Sequence, residues 1–189
     1  GGGGGGGGGG SGGIGIGNNS GGGNGGLGGN GTLNLISGAT VSVTETLLIG
    51  GSGGGSGGGI SYLRGIGGGG GAGTVTIDTG TAINIGNNGK LLLGADAAGT
   101  LNLGGDLNFG TGASFEIRST GTLNIGNATP NAAAAGSITH MGWASLINNG
   151  VINFNQSNAS RVFNMDISGT GSVMHNSNGI TQFLGTSTY

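Results

Sequence analysis

The sequence predicts an all-β chain, a parallel β-helix (solenoid) with about three short strands per coil of roughly 22–26 residues and with glycine-rich inserts. Three observations predict it. An apolar-polar-apolar triplet, Leu-Asn-Leu and its variants, recurs between glycine-rich turns; similar triplets return at separations of 26, 24 and 22 residues; and runs of helix-forming residues are nearly absent.

Strand side chains alternate, so a triplet is the shortest pattern that puts two side chains on a buried face and one on the other. The copies, in order, are Leu33-Asn34-Leu35, Val41-Ser42-Val43, Val75-Thr76-Ile77, Ile83-Asn84-Ile85, Leu101-Asn102-Leu103, Leu107-Asn108-Phe109, Phe115-Glu116-Ile117 and Leu123-Asn124-Ile125. Their commonest step is eight residues. Gly-Thr-Leu-Asn-Leu begins at Gly31 and at Gly99, and Gly121 opens a third copy with one conservative change. The later two copies lie 22 residues apart and the earlier gap is 68, close to three such units. At ~4.8 Å between coils, residues 31–189 make about six or seven coils and a rod of about 30 Å.

Composition narrows the class further. Of 189 residues, 56 are glycine, one is proline and none is cysteine, with four basic and six acidic side chains. There is no Gly-X-Y period, which excludes collagen. Charge this low does not suit ordinary disorder, and the triplets decide for a fold over residues 31–189. Residues 132–135 are the only helix candidate; Pro130 and Gly136 bracket them, leaving room for one turn at most. Neither end shows a polar capping element, so the rod is expected to be part of a longer one.

Residues 1–30 form a separate glycine-rich segment, and glycine-rich stretches return at 50–59 and 65–73. Two readings are open. They are flexible linkers and long turns, as glycine's entropy favours; or they are extended polyglycine strands docked on the rod through Ile14, Ile16, Leu27, Ile60, Leu63 and Ile66.

Toward the C-terminus Asn148-Asn149-Gly150-Val151-Ile152-Asn153-Phe154-Asn155-Gln156 reads as a turn followed by a strand, and Val162-Phe163-Asn164-Met165-Asp166-Ile167 reads as a strand of alternating apolar and polar residues. Ile167-Ser168-Gly169-Thr170-Gly171-Ser172-Val173 follows, and then Gly179-Ile180-Thr181-Gln182-Phe183-Leu184-Gly185-Thr186-Ser187-Thr188-Tyr189. Residues 147–189 resemble the autotransporter-associated β-strand repeat of bacterial passenger domains. Met174-His175-Asn176 departs from the small or lysine-bearing spacer of that repeat, and the glycine inserts are foreign to it. The resemblance implies a right-handed β-helix displayed outside a Gram-negative cell, this chain being a passenger fragment without the barrel.

Chemistry finds little purchase here. His140 and His175 lie 35 residues apart with no metal-binding spacing, so no metal and no cofactor is expected. Glu116 and Arg118 share a strand face and predict a weak exposed ion pair. Asp78, Asp96 and Asp106 fall at turns or strand edges, and the scattered Arg64, Lys90, Arg118 and Arg161 do not cluster as a polysaccharide lyase would need. Lys90 follows Asn87-Asn88-Gly89 but precedes Leu91, which excludes a phosphate loop. Gly104-Gly105-Asp106 lacks the spacing of a calcium nonapeptide. Four basic residues argue against nucleic acid.

The central triplet residues Asn34, Asn84, Asn102, Asn108, Asn124 and Asn153 form a candidate outward ladder of amides along the rod. It either fixes register and keeps the surface soluble, or presents a glycan- or ice-binding face. Trp143 and Tyr62 are candidates for stacking on sugars, with a core position for Trp143 as the alternative. The expectation is a non-enzymatic, extracellular surface protein, a stalk or adhesin that binds host-surface or glycan ligands or its own copies end to end, with no membrane insertion by this segment. A self-associating filament and a phage tail-fibre or polysaccharide-active module are the alternatives.

Overall fold

The computed structural model describes residues 14–16, 30–51, 71–95, 97–126, 134–142 and 145–188. Within them the chain winds as a parallel β-helix. Ile14–Ile16 (β1) precedes six coils. Gly31–Leu35 (β2), Thr40–Val43 (β3) and Thr46–Ile49 (β4) make the first, and Gly73–Ile77 (β5), Ala82–Ile85 (β6) and Lys90–Leu93 (β7) the second. Gly99–Leu103 (β8), Asp106–Phe109 (β9) and Ser114–Ile117 (β10) follow, then Gly121–Gly126 (β11), Ser137–His140 (β12) and Ser145–Asn148 (β13). The fifth coil holds Val151–Asn155 (β14), Ser160–Phe163 (β15) and Asp166–Ser168 (β16), and the sixth Ser172–His175 (β17) and Ile180–Phe183 (β18).

Each of the first four coils contributes one strand to each of three faces. The first face runs β2-β5-β8-β11-β14-β17, the second β3-β6-β9-β12, and the third β4-β7-β10-β13-β16, every neighbour parallel. Register stacks like on like, because a one-residue slip would turn each buried column outward. Leu33, Val75, Leu101, Leu123, Ile152 and Val173 form one column of the first face. Leu47, Leu91, Phe115, Leu146 and Ile167 form one of the third, all of them buried. These columns meet in a single apolar core that runs the length of the rod.

Glycine closes the corner between the third and first faces. Gly31, Gly73, Gly99 and Gly121 sit in register at the start of their strands. A methyl group on Gly121 would stand 2.6 Å from the Leu93 carbonyl oxygen and 2.9 Å from Ile117 Cγ2, so no side chain fits where the chain turns inward. Turns are also clamped by side-chain oxygens that accept a backbone N–H from a neighbouring coil. Asn30 takes that of Ala72 at 3.1 Å, Asn87 that of Thr111 at 3.0 Å, Asn149 that of Thr170 at 3.2 Å and Asp166 that of Thr186 at 2.6 Å.

Several expectations need correction. The 68 residues between the Gly31 and Gly99 repeats hold two coils, not three, because β2 and β5 are 42 residues apart in register and the excess falls between β4 and β5. The stretch 162–167 neither alternates throughout, Val162 and Phe163 both being apolar, nor forms one strand: β15 ends at Phe163, a corner occupies Asn164 and Met165, and β16 begins at Asp166. The N-terminal edge of the third face is also not open, since β1 pairs antiparallel with β4, Ile14 opposite Ile49 and Ile16 opposite Leu47.

The second face is interrupted. β15 pairs with β18 in a separate two-stranded sheet and not with β12, whereas the other two faces pass straight through the same level.

Candidate functional surface

A triplet fixes its central residue on the face away from the core, so what lines up there depends only on register. The structure brings five of the six asparagines into two separate rows and leaves Asn34 aside. On the first face Asn102 Nδ2 donates to Thr76 Oγ1 at 3.2 Å, Asn124 to Asn102 Oδ1 at 2.8 Å, and Asn153 to Asn124 Oδ1 at 3.2 Å. Asn176 extends the row by donating to Asn153 Oδ1 at 2.7 Å. On the second face Asn108 Nδ2 donates to Asn84 Oδ1 at 2.8 Å, and Thr139 Oγ1 donates to Asn108 Oδ1. Asn34 lies opposite Thr76 in register, is exposed, and joins neither row by a hydrogen bond.

The first-face row is not a solvent-facing surface. Asn102, Asn124 and Asn153 are 8%, 4% and 6% exposed, so their amides are satisfied by each other and are largely closed to a flat ligand such as a sugar ring. Amides at the ~4.8 Å coil spacing fit this role because each offers a donor on one side and an acceptor on the other. The second-face row, Asn84 and Asn108, is half-buried.

Sequence reasoning missed Asn176, Thr76 and Thr139 as members of the rows. Thr76 and Asn176 were visible as the centre of one triplet and the anomalous end of the 174–176 spacer. Asn176 is not opposite Asn153 in the strand register; Met174 is, and it is 44% exposed. Asn148 was also missed as a core-level polar group: it is 1% exposed, its Nδ2 donates to the Ser172 carbonyl at 3.1 Å, and its Oδ1 accepts Gly150 N–H at 3.2 Å.

At the break in the second face, Gln156 is buried and donates to Thr181 Oγ1 at 3.3 Å, and Arg161 donates through Nη1 to the Ala135 carbonyl at 3.4 Å. Burial lowers the Arg161 pKa, yet a guanidinium stays charged across any working pH. Gln156 Oε1 and Arg161 Nε have no hydrogen-bond partner among the described residues.

The remaining candidates stay apart. Glu116 and Arg118 make a 3.0 Å ion pair with both side chains substantially exposed. Asp106 accepts a hydrogen bond from Ser137 Oγ at 2.6 Å. His140 bonds the Gly142 carbonyl, and His175 contacts Thr181 Oγ1 at 3.1 Å. Among the described residues no group of three His, Cys, Asp or Glu stands close enough to hold a metal, and no helix is long and apolar enough to cross a membrane. Tyr62, Arg64, Asp96 and Trp143 lie outside the described residues, as do Leu27, Ile60, Leu63 and Ile66.

No family model, no curated protein and no solved structure matches this chain.

Proposed function

We propose that this chain is a non-enzymatic structural element of an extracellular surface protein, a β-helical stalk of the passenger type that residues 147–189 resemble. The continuous first-face row from Thr76 to Asn176 carries the reading. It adds side-chain hydrogen bonds parallel to the rod axis to those of the backbone, and axial bonding resists bending and stretching. The burial of Asn102, Asn124 and Asn153 reserves their amides for the rod itself and leaves the short exposed Ser, Thr and Asn side chains of the turns as the surface that meets host or glycan ligands. Antibody labelling of intact source cells tests it: label removed by external protease is the expected result, and protein found only inside protease-protected cells would overturn the proposal.

A second reading, a filament built from copies joined end to end, is favoured by the last coil. The outer edges of β17 and β18 have no strand partner among the described residues, and Ile180, Phe183 and Leu184 are 70%, 44% and 61% exposed. Residues 167–189 contain no charged side chain and no proline, the usual guards of a sheet edge. Concentration-dependent fibres in electron micrographs of the purified chain would select this reading over the stalk.

A further inference from the structure

We infer that Asn178-Gly179 is a site of spontaneous chemical modification, the asparagine closing on the following backbone nitrogen to form a succinimide that water then opens. In the step, Gly179 N loses its proton and attacks Asn178 Cγ; the new N–C bond forms as the bond from Cγ to the side-chain nitrogen breaks, and that nitrogen leaves as ammonia. Hydrolysis at either imide carbonyl yields aspartate or isoaspartate at position 178. No enzyme and no co-reactant other than water is required.

Four Asn-Gly pairs fall within the described residues, and the fold treats them differently. Gly31 N–H is held by the Ala72 carbonyl at 2.9 Å, and the Asn30 amide oxygen is engaged by Ala72 N–H. Gly89 N–H is held by the Gly86 carbonyl at 3.0 Å. Gly150 N–H is held by Asn148 Oδ1 at 3.2 Å, and the Asn149 side chain accepts from both Thr170 N–H and Thr170 Oγ1. At the fourth pair neither the Asn178 amide nor Gly179 N–H has a hydrogen-bond partner among the described residues, and Asn178 is exposed. The nucleophile and the electrophile are both free, in the turn between the last two strands.

The fold also keeps the reactive pair in place. A methyl group at position 179 would overlap the Asn158 carbonyl oxygen of the coil below, so glycine is required there, and glycine is the residue that least obstructs ring closure. The product places a carboxylate in a 23-residue stretch, 167–189, that has no charge of its own.

The test is peptide mapping by mass spectrometry of the intact folded chain aged at mildly alkaline pH, following conversion at each Asn-Gly pair. Conversion at Asn178 is expected to outpace that at Asn88 and Asn149 by about tenfold, since each competing site must first give up hydrogen bonds. In concentrated urea the pairs should converge to similar rates, and Asn178→Gln should lose the modification from that peptide. Equal rates in the folded protein, or a lead for Asn178 that persists unchanged in urea, would overturn the inference, the second because local sequence and not the fold would then set the rate.

Discussion

Asn124 carries two roles that pull apart under substitution. Its amide donates to Asn102 and accepts from Asn153, so Asn124→Ala removes two buried hydrogen bonds from the middle of the row. A loss of about 2–4 kcal/mol is expected from the urea midpoint, whereas Asn34→Ala, at an exposed position outside the rows, should change it by less than ~0.5 kcal/mol. A comparable loss at both positions would show that the row contributes nothing beyond strand propensity. Glycine at the corner makes the opposite kind of demand. Gly121→Ala is expected to cost about 1–3 kcal/mol, because the new methyl must displace the Leu93 carbonyl or the Ile117 side chain, and calorimetry would register it as a lower Tm. Both sites were legible as residue types: the asparagines stood at triplet centres and the glycines opened the repeated strings. Their burial was not, since a triplet states only which face a side chain takes and says nothing of what else closes over that face.

Strands were readable to the extent that their centres were polar. β4 and β7, with Leu47-Leu48-Ile49 and Leu91-Leu92-Leu93, escaped the triplet pattern because Leu48 and Leu92 occupy the outward position and are only half-buried. Alternation vanishes when both faces of a strand carry apolar residues. The break in the second face was illegible for a different reason: β12 and β15 are each ordinary short strands, and whether they pair depends on the path of the chain between them. That break divides the rod energetically. Solenoid stability is a sum of coil terms and neighbour interfaces, so a coil boundary crossed by two faces holds less firmly than one crossed by three. Hydrogen exchange is therefore expected to release residues 151–188 in a lower-energy opening than residues 73–125, by about 1–3 kcal/mol. A single common opening for both segments would mean that the two continuous faces suffice for full cooperativity.

At the scale of the whole molecule, the two ends of the third face differ. At the start of the rod an antiparallel strand, β1, occupies the outer edge of β4. At its other end the outer edge of β16 meets Thr188 through a bridge from Ser168, and among the described residues the outer edges of β17 and β18 have no strand partner and lie beside exposed apolar side chains. If copies join, they join there, and Ile180→Lys puts a charge on that edge. The substitution should abolish concentration-dependent sedimentation while leaving the circular dichroism spectrum unchanged; assemblies that persist in the variant would place the contact elsewhere. The repeat period and the core columns foretold this shape, but the strand that occupies the first edge of the third face comes from a glycine-rich segment whose composition fits a linker as well as it fits a strand.

The amide rows also give the rod a sense of direction. Asn102, Asn124, Asn153 and Asn176 each donate to the preceding coil, and Asn108 on the other face does the same. Within the rows, each of these amides thus turns its oxygen toward the next coil. The coil that extends a row supplies the donor to that oxygen, an N–H from Asn176 on the first face and an O–H from Thr139 on the second. A row read along the rod is therefore polar, and its two ends offer different groups to whatever meets them.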